Sequence, residues 1–123
     1  YCFRSIQGYS KFGSYTGNQS TDGPFLYFGF KPAFLMVKKI SSAENWFLID
    51  NKRHPINDGQ IPRVIPNNSD AESEDASIAG DFLSNGFKIR ATQNMINESG
   101  TYIYMAFAES PFVSSKGVPT TAR

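Results

Sequence analysis

The sequence is poor in the residues that form covalent or catalytic centres. Among its 123 residues there is one cysteine, Cys2, and one histidine, His54. A disulfide within the chain is therefore excluded, and a nucleophilic site with a histidine base would have to use His54. Lys52 and Arg53 precede His54, and their positive charges disfavour its protonated form. We interpret His54 as an exposed loop residue and predict that the protein is not an enzyme.

Charge is scarce and balanced. Charged residues make up 19% of the chain and the net charge is +1, whereas about 25% is typical of soluble domains. No basic run exceeds two residues, so the stripe of Lys and Arg that marks a nucleic-acid binder is missing. No apolar run approaches the roughly 20 residues that cross a bilayer, which predicts no membrane insertion. Because the chain begins at Tyr1, we expect a part of a longer or processed polypeptide.

Aromatic residues are abundant and short apolar runs recur. Eleven Phe and six Tyr suit a pleated, half-buried surface, and no segment sustains a helical period. Turn residues separate the apolar runs at intervals of about 8–12 residues. The pattern predicts an all-β fold, an antiparallel two-sheet β-sandwich of jelly-roll or concanavalin-like type. We expect about eight to nine short strands, in one domain over 1–112 with an extended C-terminal tail over 113–123.

Three segments give the most definite local predictions. The runs 34–40 and 46–50 flank a polar turn and predict a hairpin. Asn85-Gly86, between the apolar runs of 78–92, predicts a second hairpin. The run 101–108 contains five unbroken apolar residues, Tyr104 to Ala108. A strand without a polar face indicates a central strand of the sandwich that is covered on both sides.

A ligand site is predicted around the only tryptophan. β-Sandwich domains that bind sugars often present an exposed Trp or Tyr beside polar side chains, as ligand sites generally do. The candidate residues begin, precede or follow the run 46–50, and they are Trp46, Asn45, Asn51, Arg53 and His54. The alternative is a buried Trp46. Exposure of Trp46 and Tyr9 in one concave patch would favour binding.

Acidic residues cluster after residue 69. Asp70, Glu72 and Glu74 alternate as the oxygen ligands of a calcium loop do, but the glycine and the closing glutamate of an EF-hand are missing. We therefore predict no cofactor, with calcium at these three residues as the alternative to a solvated loop. Asp50 and Asp81 could form a glycosidase pair only if the fold brought them together. Asn18, Asn67 and Asn97 each begin an Asn-x-Ser glycosylation pattern.

Four blocks of the sequence resemble a known module. They are FRSIQGYSKFGSYTGNQSTDGPFLYFGFKPAFLMVKK, NWFLIDNKRHPIN, DFLSNGFKIR and GTYIYMAFAESPF. In this order they are similar to a C-terminal β-rich module of bacteriophage tail, fibre and other virion-associated proteins. Its activity is not established, so no catalytic residues carry over. The segment IPRVIPNNSDAESEDAS departs from the pattern and looks like its variable part.

The resemblance implies a location and two functions. It suggests a virion component exposed on a tail or fibre, in contact with other virion proteins and oligomeric with them, with a trimer as one form. The first function is adhesion, in which the domain binds a bacterial surface glycan or protein receptor. The alternative is a purely structural or decoration module without its own ligand, which would present a large apolar interface.

Overall fold

Seven strands make up the regular structure of the chain. The computed structural model describes residues 2–53, 57, 59–73 and 78–111. The strands are β1 (Ser10–Gly17), β2 (Phe25–Tyr27), β3 (Pro32–Lys39), β4 (Trp46–Asp50), β5 (Gly80–Leu83), β6 (Gly86–Ile89) and β7 (Gly100–Ala108). The described part of the chain contains no helix, and so none that is long and apolar enough to cross a membrane.

The strands form two antiparallel sheets. The first has the order β1-β7-β3-β4 and the second the order β2-β6-β5. The predicted all-β, two-sheet fold is confirmed, with seven strands in the described residues instead of eight or nine. The predicted tail over 113–123 lies outside the described residues.

The core lies between the two sheets. Alternate residues of each strand point into it, as the period of two requires. In β3 and β4 these are Leu35, Val37, Phe47 and Ile49, all fully buried. The second sheet contributes Leu26, Phe82, Phe87 and Ile89 to the same cluster.

Both predicted hairpins are confirmed. β4 pairs with β3 from Lys38–Trp46 to Phe34–Asp50, and β5 pairs with β6 on either side of the turn at 84 and 85. Two further segments lack continuous strands. Residues 2–5 have no regular structure, and the segment 61–66 makes only isolated bridges, Leu48–Val64 and Arg63–Ser73. Pro62 and Pro66 lack the N–H that a continuous ladder needs, which limits this segment to single bridges.

β7 is the central strand that its composition predicted, between β1 and β3. Tyr102, Ala106 and Ala108 point inward and are buried. Ile103, Met105 and Phe107 point outward and are half-buried. The expected cover on both sides is not found in the described residues. The outward Phe107 ring contacts Phe12 and Phe34 of the neighbouring strands and Phe3 of the N-terminal segment rather than a further layer.

The loop between β6 and β7 is fastened to the first sheet by polar groups. The Tyr15 hydroxyl donates to the Ile96 carbonyl at 2.6 Å, and the Tyr102 hydroxyl donates to the Asn94 carbonyl at 2.6 Å. The two tyrosine rings stack at 4.9 Å. Buried Lys39 forms an ion pair with Glu98 of the same loop. These contacts fix the loop against the end of β1 and β7.

Candidate functional site

A groove opens where the edge strands of the two sheets meet. β1 is the edge of the first sheet and β2 is the edge of the second. The opening between them has a volume of about 290 Å³. Its lining consists of Ser5, Ile6, Gln7, Ser10, Lys11, Tyr27, Phe28 and Gly29. We call it the Tyr27 groove.

The N-terminal wall of the groove is a tight turn before β1. Ile6 and Ser10 exchange backbone hydrogen bonds of 2.9 Å in both directions. Gly8, in the turn, has a φ of 71°, which glycine adopts without strain. Ser5 Oγ accepts a hydrogen bond from the Phe12 amide. The turn therefore holds residues 5–7 along the free edge of β1.

The opposite wall is the end of β2. Leu26 and Phe28 are buried, whereas Tyr27 between them is 62% exposed. The Phe28 and Gly29 amides both donate to the Asn85 carbonyl, and Gly29 has a φ of 79°. These bonds fix the chain just after Tyr27 and leave its ring at the mouth of the groove.

The groove combines an aromatic ring with polar groups. The Gln7 amide can donate and accept hydrogen bonds, and the Lys11 ammonium can donate three. No carboxylate of the described residues forms an ion pair with Lys11. An aromatic face beside convergent polar groups is the usual composition of a site for a small organic ligand. The sequence-based reasoning missed Tyr27, although its alternation with Leu26 and Phe28 marks it as the outward residue of the run.

The predicted patch around Trp46 is divided between the two ends of β4. Trp46 is half-buried at the start of the strand, where its amide donates to Asn67 Oδ1 at 2.9 Å. Asn45 Oδ1 accepts a hydrogen bond from Asn67 Nδ2. Trp46 and Asn45 therefore lie together, and both form hydrogen bonds with Asn67. Tyr9 precedes β1 on the opposite edge of the sheet, so Trp46 and Tyr9 do not share one concave patch.

Asn51 and Arg53 lie beyond the other end of β4. Asn51 is buried, and Arg53 forms ion pairs with Asp50 and Glu72. Partial burial works to raise the pKa of Asp50, but hydrogen bonds from Arg53 and Lys52 hold that pKa below its ordinary value. His54 lies outside the described residues. The four described residues of the predicted set thus do not form one surface, and ligand binding at the set stays a prediction.

Asn51 borders a second cleft of about 250 Å³, which Lys31, Lys52, Asn57, Phe82 and Glu109 also line. Glu109 forms ion pairs with Lys31 at 2.8 Å and with Lys52 at 3.0 Å. The hydrogen bond from Lys31, with that from Lys52, lowers the pKa of Glu109. Because Glu109 already pairs with both lysines, their ammonium groups are less available to a ligand than Lys11 in the Tyr27 groove is.

The acidic segment is not assembled into a metal centre within the described residues. Asp70 accepts a hydrogen bond from Asn68, and Glu72 is paired with Arg53. Glu74 lies outside the described residues. The described part of the chain has no group of three or more His, Cys, Asp or Glu residues that could hold a metal ion.

The two strand-end carboxylates lie far apart. Asp50 is on the outer side of the first sheet, opposite Phe34, and Asp81 is on the outer side of the second sheet, opposite Lys88. Asp81 accepts a hydrogen bond from Arg90 at 2.9 Å. Asp50 and Asp81 therefore cannot act as a glycosidase pair on one substrate, since such carboxyl groups must be within about 10 Å of each other.

The fold and the groove define a small all-β sandwich domain with an aromatic groove at the seam of its sheets. Residues 1–111 match the model of a family described as a domain of unknown function, DUF7483, and the chain belongs to that family. Neither the curated proteins nor the solved structures provide a match to the chain.

Proposed function

We propose that this protein is a virion-associated domain of a bacteriophage tail or fibre that contacts the host surface and binds a glycan in the Tyr27 groove. The resemblance of its sequence blocks to a phage module supports the location. The observation that carries the binding role is the exposed Tyr27 ring beside polar side chains in a groove of about 290 Å³.

A sugar has the chemistry that this groove can recognise. One face of a pyranose ring presents C–H groups, and an aromatic ring such as Tyr27 offers a flat apolar surface for them. The hydroxyl groups at the sugar edge need donors and acceptors, which Gln7 supplies in one side chain. Lys11 adds a donor for a hydroxyl group or for the carboxylate of an acidic sugar.

The groove makes few contacts, and its expected affinity is correspondingly low. A ligand that covers one aromatic ring and two polar side chains gains only a few kcal/mol over the cost of immobilisation. Several copies on one virion would raise the overall avidity by about 10² or more without new contacts. The proposed setting is therefore an oligomer exposed on the virion, with other virion proteins as neighbours. No carboxylate is among the described residues that line the groove, so we expect binding without a metal ion.

Binding to whole bacterial cells and to a glycan array tests the proposal, with the chain immobilised in several copies. We expect saturable binding to one cell type or sugar class, which persists after calcium is removed with a chelator. Loss of binding with the chelator would favour the acidic segment as a calcium site. A folded domain that binds no cell and no glycan would contradict the adhesion role.

The structural alternative has its own supporting observation. The outer side of the four-stranded sheet is apolar along β7, where a solvated antiparallel sheet is usually polar. A module that only decorates or locks a virion would use such a surface against a protein partner. Absence of glycan binding together with stable assembly would favour this second function.

A further inference from the structure

The outward side chains of the four-stranded sheet form a regular array. Antiparallel pairing places directly opposite residues on the same side of a sheet. Across β1, β7, β3 and β4 the pairing gives three rows of four residues. They are Ser14-Ile103-Lys38-Trp46, Phe12-Met105-Met36-Leu48 and Ser10-Phe107-Phe34-Asp50. We call this surface the Phe107 face.

The middle row of the Phe107 face is wholly apolar. It is extended beyond β4 by Val64, which forms a bridge with Leu48. In the next row, the Phe107 ring contacts the rings of Phe34 at 5.6 Å and Tyr9 at 6.3 Å. Phe3 lies at the rim, is 62% exposed and stacks on Phe12 at 5.7 Å. The face is therefore a continuous apolar surface that the described residues leave partly exposed.

The outer side of the second sheet differs. Lys88 and Asp81 face each other across β6 and β5, and both form ion pairs with neighbours. Charged side chains of this kind keep a sheet surface solvated. Exposed apolar side chains also lie on that side, at Phe25, Tyr27 and Leu83. The Phe107 face is distinguished by a whole row of four residues without a charge.

We propose that the Phe107 face binds a second copy of this chain around a two-fold axis that runs along the middle row. The positions of the two charged residues on this face favour a second copy of the chain as its partner. Lys38 lies in one outer row and Asp50 in the other, on neighbouring strands. A two-fold axis along the middle row exchanges the outer rows, so that Lys38 of each copy lies opposite Phe34 of its partner and one strand away from Asp50. The Asp50 carboxylate, which also pairs with Arg53 of its own chain, would then have Lys38 of the other copy as a second cation.

The distances between strands and between sheets suit this pairing. Neighbouring strands are about 4.8 Å apart and packed sheets about 10 Å apart, which Lys and Asp side chains can span together. Lys38 now donates to the carbonyls of Lys39 and Glu44, and it has no carboxylate partner among the described residues. A two-fold axis along β3 would instead bring the two Lys38 side chains together, which like-charge repulsion disfavours.

The same axis places Met36 opposite Met36 of the partner and Met105 opposite Met105. Residues on a two-fold axis meet their own copies. A charge at Met36 should therefore repel its own copy, whereas opposite charges at this position in two different copies should attract. This reciprocity separates a two-fold contact between identical faces from binding to an unrelated protein.

Sedimentation velocity of the chain over a range of micromolar concentrations tests the proposal. We expect a concentration-dependent dimer for the natural chain, monomers for Met36→Glu and for Met36→Lys alone, and a dimer when the two variants are mixed. Leu83→Lys, on the outer side of the other sheet, is the matched control and should leave the dimer intact. Circular dichroism verifies that each variant is folded.

Three results would overturn the proposal. They are a monomeric natural chain at every concentration, a dimer that Met36→Glu does not dissociate, and a dimer that Leu83→Lys dissociates. If a Met36 variant fails to fold, the pair Met105→Glu and Met105→Lys provides the same comparison. The inference adds an assembly surface to the proposed function. Because its test uses no glycan, the dimer proposal and the glycan-binding proposal can fail independently.

Discussion

Asn97 shows how a single buried amide organises the end of the sandwich. Its side chain is fully buried, and Nδ2 donates to Asn18 Oδ1, the Ser20 carbonyl and the Ala91 carbonyl at 2.7–2.9 Å. Oδ1 accepts from the Asn18 amide. Asn97 begins an Asn-x-Ser glycosylation pattern, but its side-chain amide lies inside the protein.

Replacement of Asn97 should therefore reduce stability. Asn97→Ala leaves the Ala91 carbonyl without its buried donor and removes the bonds to Asn18 and Ser20, and we expect a loss of about 1–3 kcal/mol in the free energy of unfolding. Asn97→Asp should cost more because it buries a carboxylate among carbonyl oxygens. Urea denaturation measures both. Asn68→Ala, in an exposed loop, is the control, and an equal loss in that variant would contradict the assigned role of Asn97.

The stacked tyrosines predict an alkaline limit to stability. Burial raises the pKa of Tyr102 from its ordinary value of 10.0 to about 12, and it also raises the pKa of Tyr15. The folded state thus binds these protons more tightly than the unfolded state does. The stabilisation is complete below pH 10 and is lost as the pH rises towards 12.

Chemical denaturation between neutral pH and pH 12 measures this dependence. We expect a falling free energy of unfolding above pH 10 in the natural chain. Tyr102→Phe should make the fall shallower, at a cost of about 1 kcal/mol at neutral pH for the lost hydrogen bonds. An unchanged alkaline slope in Tyr102→Phe would show that other groups cause the fall.

At the scale of the strand, β1 depends on a close backbone approach at its end. Gly17 pairs with Gly100, and a Cβ atom on Gly17 would lie 2.1 Å from the Glu98 carbonyl oxygen. Since a backbone atom cannot move away as a side chain can, Gly17→Ala should destabilise the protein by about 1–3 kcal/mol.

Thermal unfolding compares Gly17→Ala with Ser14→Ala, which lies in the same strand with an exposed side chain. We expect a lower melting temperature only for the glycine variant. A similar shift in both variants would mean that the effect comes from the strand as a whole and not from the contact with Glu98.

The elements that the sequence predicts are those with local signals. Both hairpins follow from apolar runs around short turns, and the run Tyr104 to Ala108 indicated a central strand. Composition does not predict the outward half of that strand correctly, because it cannot distinguish a covered face from a partly exposed one. Residues 61–66 carry strand-forming side chains, but Pro62 and Pro66 reduce them to bridges.

The candidate site was predicted less well, because its residues meet only through the topology. Trp46 and Asn51 are close in sequence, yet a five-residue strand separates them by about 16 Å. Lys11 and Tyr27 come from separate segments and meet because β1 and β2 are both edge strands. No sequence spacing reveals that two sheets will leave their seam open at this pair of edges.

At the scale of the whole molecule, two surfaces have different chemistry. The Tyr27 groove offers one aromatic ring with free polar groups, which suits a hydrophilic ligand. The Phe107 face offers apolar rows with two charged positions, which suits a protein surface. A domain with both can assemble through one side and present its grooves in several copies, and that arrangement compensates for a low affinity at each groove.

The most direct test of the account compares whole-cell binding of Tyr27→Ala and Trp46→Ala with that of the natural chain. Tyr27 is exposed, so its replacement should leave the fold intact. We expect Tyr27→Ala to weaken binding about tenfold, the equivalent of roughly 1.4 kcal/mol, and Trp46→Ala to bind as the natural chain does. If Tyr27→Ala binds fully and a folded Trp46→Ala loses binding, the assignment of the ligand site to the Tyr27 groove is wrong. The site would then lie at the Trp46 end of β4.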